Sequence, residues 1–86
     1  MTEARYTIKD ELGIHARPAG FIVREARKYS STVQILSRGQ TANGKNLISL
    51  MKLVVKHGDL VIVQIEGIDE TDANHAIGSI FQKYLC

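Results

Sequence analysis

Apolar and polar residues follow two rhythms along this 86-residue chain, and each change of rhythm marks a new element. Tyr6 and Ile8 alternate with Arg5, Thr7 and Lys9 at the period of two of a half-buried strand, and the run ends in Asp10-Glu11-Leu12-Gly13. Ala19, Ile22, Val23 and Ala26 then recur at i, i+3, i+4 and i+7, with Arg24, Glu25, Arg27 and Lys28 largely on the opposite side, which predicts an amphipathic helix. Thr32 to Leu36 reads as a second strand, and Ser37-Arg38-Gly39 as a tight turn into a short third strand around Gln40 to Ala42. Asn43-Gly44 breaks the pattern. Leu47, Leu50, Met51 and Val54 restore helical spacing for about two turns until His57-Gly58-Asp59 stops it. Leu60 to Ile65, rich in Val and Ile, predicts the fourth strand. Ala73, Ala76, Ile77, Ile80, Phe81 and Tyr84 form the apolar stripe of a last helix, whose first turn carries Asp69, Glu70 and Asp72, as suits a positive helix end.

The order is strand, helix, strand, strand, helix, strand, helix. Three one-sided helices need a sheet face to cover, so the economical arrangement is an α+β two-layer, open-faced sandwich, its four-stranded sheet mainly antiparallel with the helices on one face. No linker, repeat or low-complexity stretch interrupts residues 1–86, which are expected to form a single domain too small for a deep substrate cleft. Function is therefore expected on the surface.

Composition narrows the classes. No apolar run of membrane-spanning length and no secretory signal pattern is present, so a cytoplasmic protein without membrane insertion is expected. The lone Cys86 has no internal disulfide partner and no metal-binding neighbours. The net charge of +2 hides an asymmetry: residues 15–56 hold eight Lys or Arg against the single acid Glu25, whereas residues 57–86 hold Lys83 against five acids. Such a basic surface speeds association with an acidic partner. A nucleic-acid-binding module is the remote alternative, but only Phe21 and Tyr29 lie among those charges, and no paired aromatics on a strand offer stacking platforms. A self-contained enzyme is disfavoured by the lack of an acid–base pair, a Gly-rich nucleotide loop or a metal site, and no cofactor is implied.

The chemistry concentrates in Gly13-Ile14-His15-Ala16-Arg17-Pro18-Ala19, where the first strand's turn meets the first helix. Pro18 suits a first helical turn, because its missing N–H would be unpaired there anyway. The residue before a proline avoids helical angles, which argues for Arg17 lying outside the helix. A helix start offers free N–H donors and partial positive charge, an anion site in which Ala16 and Pro18 form the backbone of the phosphate-binding turn. That charge and Arg17 favour neutral imidazole, the nucleophilic form of His15. A phosphorylated ring would gain negative charge that Arg17's planar fork can meet. His57 and His75 lack comparable surroundings.

With these residues the sequence resembles the histidine-containing phosphocarrier family, HPr, of the bacterial phosphoenolpyruvate-dependent sugar phosphotransferase system. A second stretch carries the likeness too: Asn43-Gly44-Lys45 leading into Leu47-Ile48-Ser49-Leu50-Met51. The resemblance implies that His15 accepts a phosphoryl group from phosphorylated Enzyme I, at the ring nitrogen nearer the backbone, and donates it to a IIA domain of a sugar permease. It implies that Arg17 contacts the phosphate, that four antiparallel strands carry three helices on one side, and that the first two helices form one docking face for both partners. The protein would be a stoichiometric carrier rather than an enzyme, and a monomer is expected. A paralogous regulatory carrier of the same fold, serving nitrogen or another control circuit, is the alternative.

The docking face is also legible physically. Leu47, Ile48 and Met51 are too many apolar residues for a two-turn helix to bury, and Phe21 lies off the first helix's core stripe. With Arg17, Arg24, Arg27, Lys45 and Lys52 around them they predict an apolar centre with a basic rim. The chain departs from the family at Asn46, where many members carry a serine phosphorylated in carbon catabolite repression. Asparagine can cap the second helix but has no hydroxyl to modify.

Overall fold

A computed structural model describes all residues from Met1 to Cys86. Its elements are β1 (Thr2–Thr7), α1 (Ala16–Ala26), β2 (Thr32–Ser37), β3 (Gln40–Asn43), α2 (Leu47–Lys52), β4 (Leu60–Glu66) and α3 (Glu70–Ile80), the last running on into a π-helical turn, Phe81–Leu85. The strands form one sheet in the order β1-β4-β2-β3, every neighbouring pair antiparallel. Val61, Val63 and Ile65 of β4 and Val33 and Ile35 of β2 point inward, where they meet Ile22 and Ala26 of α1 and Ile77 of α3 in one core. The alternate residues, among them Arg5, Ile62, Leu36 and Thr41, line up across the open face. This is the α+β open-faced sandwich that the hydrophobic pattern predicts.

Local chemistry accounts for the joints. Arg38 and Gly39, at φ 54 and 76, make the two-residue loop between β2 and β3, and two positive φ values are what a twist-compatible hairpin turn requires. Arg38 then donates from Nη2 to Asp59 Oδ1 at 3.0 Å. Asn46 caps α2, its Oδ1 accepting from the Ser49 N–H at 2.9 Å.

Two elements differ from the sequence expectation. The second helix stops two residues short of its apolar pattern's reach: Val54 turns to φ 51 and is exposed, so of Leu47, Leu50, Met51 and Val54 only Leu50 is buried, and Leu53 and Val55 supply the core instead. At the C-terminus, Cys86 N–H donates to Phe81 O, an i→i−5 bond at 2.8 Å that widens the last turn. The widening adds a residue to the buried series Ala73, Ile77, Phe81, Leu85, so Leu85 fills the position that an unbroken helix would give Tyr84. Tyr84 is turned out to the surface.

Asp69 joins two layers. Its carboxylate does not cap its own helix but accepts from the backbone N–H groups of Ser30 and Ser31, at 2.8 and 2.9 Å, and from the Ser31 hydroxyl. The hydrogen bonds from Ser31 and Ser30 hold this carboxyl well below the aspartate value of 3.8, at about 2. Because the folded value is the lower, the stabilisation is complete above about pH 4 and is lost as the pH falls through about 2. Thermal melts of wild type are therefore expected to fall on acidification across this window, and Asp69→Asn, less stable at neutral pH, to show a shallower fall. Parallel acid dependence in the two proteins would contradict that assignment.

Candidate functional site

The loop between β1 and α1 is anchored at three points before it presents His15. The Leu85 carbonyl of the π turn accepts from Lys9 and Asp10 N–H at 2.7 and 3.2 Å. Asp10 then closes the turn twice: its carbonyl accepts from Gly13 N–H at 3.0 Å and its side-chain Oδ1 from Leu12 N–H at 2.8 Å, an Asx turn. Ile14 is buried, and its N–H donates to Val55 O at 3.0 Å. Gly13 sits between them at φ +68, packed so closely that a Cβ would overlap the Val55 carbonyl oxygen. Only glycine meets both demands.

His15 follows in an extended conformation (φ −108, ψ 179) as the N-cap of α1, and its carbonyl starts the helical ladder by accepting from Ala19 N–H at 3.0 Å. An N-cap side chain ordinarily accepts from the N–H of the second or third helical residue. Here the third is Pro18, which has none, and the imidazole makes no capping bond. Pro18 thus helps leave the ring uncommitted, while the N–H groups of Ala16 and Arg17 find no acceptor within the helix. Arg17 is the second helical residue rather than lying outside the helix: proline's own fixed φ is helical, and the extended residue falls at His15 instead.

Around the ring, Asp10, His15, Arg17, Pro18, Phe21 and Tyr84 line an open depression of about 240 Å³. His15 Nε2 lies 3.8 Å from Asp10 Oδ1, with the imidazole about one-third exposed. The Arg17 guanidinium stands 5.8 Å above the centre of the Phe21 ring, and Phe21 in turn packs on Tyr84 with centroids 4.9 Å apart, tilted by 42°. The arrangement combines an accessible nucleophilic nitrogen, a cation with a fork of donors and free backbone N–H groups, which together suit an incoming phosphoryl group. The other histidines, His57 and His75, are exposed and outside the depression.

Sequence reasoning did not pick out Asp10 or Tyr84. Tyr84 follows the helical stripe perfectly, and only the π turn, invisible to a 3.6-residue period, releases it to the site. An Asp two residues before a backbone donor in a Gly-terminated turn is a recognisable Asx signal, so Asp10 was findable.

Along the adjoining surface, α2 packs beside α1. Leu47, Ile48 and Met51 are exposed on it, Ile48 by 69%, and Phe21 is half-buried outside the main core cluster. Arg24, Arg27 and Lys52 are exposed around them. Lys45, expected in the same rim, is turned aside: its Nζ donates to Tyr29 O at 2.7 Å, while its own carbonyl accepts from Arg27 Nε at 2.8 Å. No helix of the chain is long and apolar enough to cross a membrane.

The chain is thus an open-faced sandwich that presents an uncapped histidine at the start of its first helix. Comparison with known proteins gives the family. A family model described as the HPr component phosphorylation site of the phosphotransferase system matches residues 2–83. Phosphocarrier protein HPr of Mycoplasma pneumoniae is 39% identical over 85 residues, covering 98% of this chain and 97% of that one. Among solved structures, a histidine-containing phosphocarrier protein of Mycoplasma superimposes with a TM-score of 0.92 at 31% identity, covering 93% and 91% of the two chains. HPr of Thermoanaerobacter tengcongensis superimposes with a TM-score of 0.91 at 33% identity, covering 98% and 94%. The chain belongs to the HPr phosphocarrier family of the phosphotransferase system.

Proposed function

We propose that this protein is the stoichiometric phosphocarrier between Enzyme I and the IIA domains of sugar permeases, and that His15 is the residue that carries the phosphoryl group. The observation that carries this reading is the uncommitted imidazole at the start of α1, free of any capping bond and sharing one open depression with Arg17. Acceptance forms a bond from His15 Nδ1 to phosphorus and breaks the bond from phosphorus to the donor, whose electron pair leaves with it. Donation to a IIA domain reverses this at His15. The carrier supplies position and charge: Arg17 and the N–H groups of the first helical turn meet the phosphoryl oxygens in both directions. The exposed Leu47, Ile48 and Met51, edged by Arg24, Arg27 and Lys52, fit brief docking on acidic partners, with Phe21 at the margin nearest the histidine.

Arg17→Ala is expected to slow acceptance and donation alike, each by about 10²-fold, the loss that follows removal of one charge-stabilising donor. Rapid-quench measurement with labelled phosphate reads both steps, and unchanged rates would remove Arg17 from the phosphate site. The choice between sugar transport and a regulatory circuit is tested by chasing the phosphorylated protein with IIA domains of each kind. Rapid loss of label to sugar-type IIA domains supports the transport reading; transfer only to regulatory IIA domains would replace it.

A further inference from the structure

Asp10 faces the reactive histidine but has no part in the phosphate chemistry described above. It comes from the loop, not from α1, and its orientation is set independently of His15: Oδ1 accepts from Leu12 N–H at 2.8 Å, while the Asp10 backbone is tied at both ends, N–H to Leu85 O and carbonyl to Gly13 N–H. The same Oδ1 lies 3.8 Å from His15 Nε2. That is longer than a direct hydrogen bond, and bonds of this kind are often loose in a resting site and tighten when the reacting group arrives. The other polar residues lining the depression are Arg17 on α1 and Tyr84 on the C-terminal turn. Asp10 is the only carboxylate in the depression.

A neutral imidazole carries one proton, and which nitrogen holds it is set by the partner that the other elements provide. A fixed acceptor facing Nε2 favours the proton there. No acceptor or donor of the helix start engages the other nitrogen, because Pro18 removes one N–H and the ring makes no capping bond. Resting on the phosphocarrier reading, we propose that Asp10 is a positioning residue for His15: its carboxylate keeps the ring proton on Nε2 and so presents the Nδ1 lone pair to phosphorus. The Nδ1–P bond then forms without any proton leaving the attacking nitrogen. The Nε2 proton stays on the ring through acceptance and donation, opposite the carboxylate. The positive ring of the phosphorylated state gains a counter-charge from the same group, and this matters because the ring departs most easily from phosphorus when it leaves as a neutral, already protonated imidazole.

The test compares wild type, Asp10→Ala and Asp10→Asn. Asparagine keeps an Oδ1 acceptor for Leu12 N–H and for Nε2–H, whereas alanine removes it. Long-range ¹H–¹⁵N spectra at alkaline pH report the tautomer of each neutral ring, with the exposed His57 and His75 of the same molecule as internal references. His15 is expected to hold its proton on Nε2 more completely than either reference in wild type and Asp10→Asn, and to fall to the reference ratio in Asp10→Ala. Single-turnover acceptance is expected to drop about tenfold in Asp10→Ala, the lower end of the cost of deleting an imidazole's outer partner, with most of the rate restored in Asp10→Asn. A loop-holding role alone would slow Asp10→Ala but leave the tautomer ratio where it was, and that result overturns the proposal. So does a wild-type His15 indistinguishable from His57 and His75. If wild type accepts no phosphate yet shows the Asp10-dependent tautomer, it is the phosphocarrier reading that fails and not the role of Asp10 on the ring.

Discussion

His15→Ala is expected to fold as wild type does and to accept no phosphoryl group. The imidazole makes no capping hydrogen bond and stands about one-third exposed, in a depression rather than in the core. What His15 contributes to the fold is its backbone: the extended conformation that starts α1 and the carbonyl bonded to Ala19 N–H, and alanine supplies both. The change in stability should therefore stay within about 0.5 kcal/mol, the range of substitutions away from structural features. Circular dichroism and a denaturant titration check the first half, and labelled-phosphate acceptance the second. A variant that fails to fold would make His15 structural, and one that still takes up phosphate would move the chemistry to another residue.

Gly13→Ala is expected to fail in the opposite way, by damaging the structure that holds the histidine. A side chain at φ +68 costs about 1 kcal/mol or more, and this Cβ also meets the Val55 carbonyl oxygen, the acceptor for Ile14 N–H. Moving Val55 away to relieve the overlap breaks that hydrogen bond, worth about another 1 kcal/mol. With the steric strain added, the loss should reach roughly 3 kcal/mol. Molecules that remain folded would carry His15 out of line with Arg17 and Asp10, so acceptance should also fall, by about tenfold or more. Denaturation and single-turnover rates separate the two losses. A variant within about 0.5 kcal/mol of wild type would show that the loop is not pinned at Val55.

Much of this architecture is written in local patterns. Strand and helix periods place every element in order, Arg38-Gly39 dictates its turn by φ alone, and Asn46 reads as a cap and is one. The misreadings share a cause: each depends on a backbone event that periodicity does not encode. Val54 has the spacing of a core residue but adopts φ 51, which ends α2 early. Tyr84 has the spacing of a core residue too, until the π turn gives its place to Leu85 and frees it to pack on Phe21. At the candidate site, the place of His15 and Pro18 at the start of α1 was legible because a helix start is a local feature, whereas Arg17, expected outside the helix, lies within it. The Asx turn at Asp10 is a local signal too, but its approach to His15 is not, since that depends on anchors at Leu85 and Val55 from distant parts of the chain. Lys45 shows the converse, a charge counted as free that tertiary structure commits to the Tyr29 carbonyl.

The central claim, that His15 is the carrier, is tested most directly by locating the phosphate. Wild-type protein is incubated with Enzyme I and phosphoenolpyruvate, kept alkaline because phosphohistidine is acid-labile, and examined by intact mass and fragmentation. The account predicts a single added phosphoryl group, located at His15 and discharged on addition of a IIA domain. No added mass with an Enzyme I shown active on another carrier, or a phosphate located at His57 or His75, would contradict it.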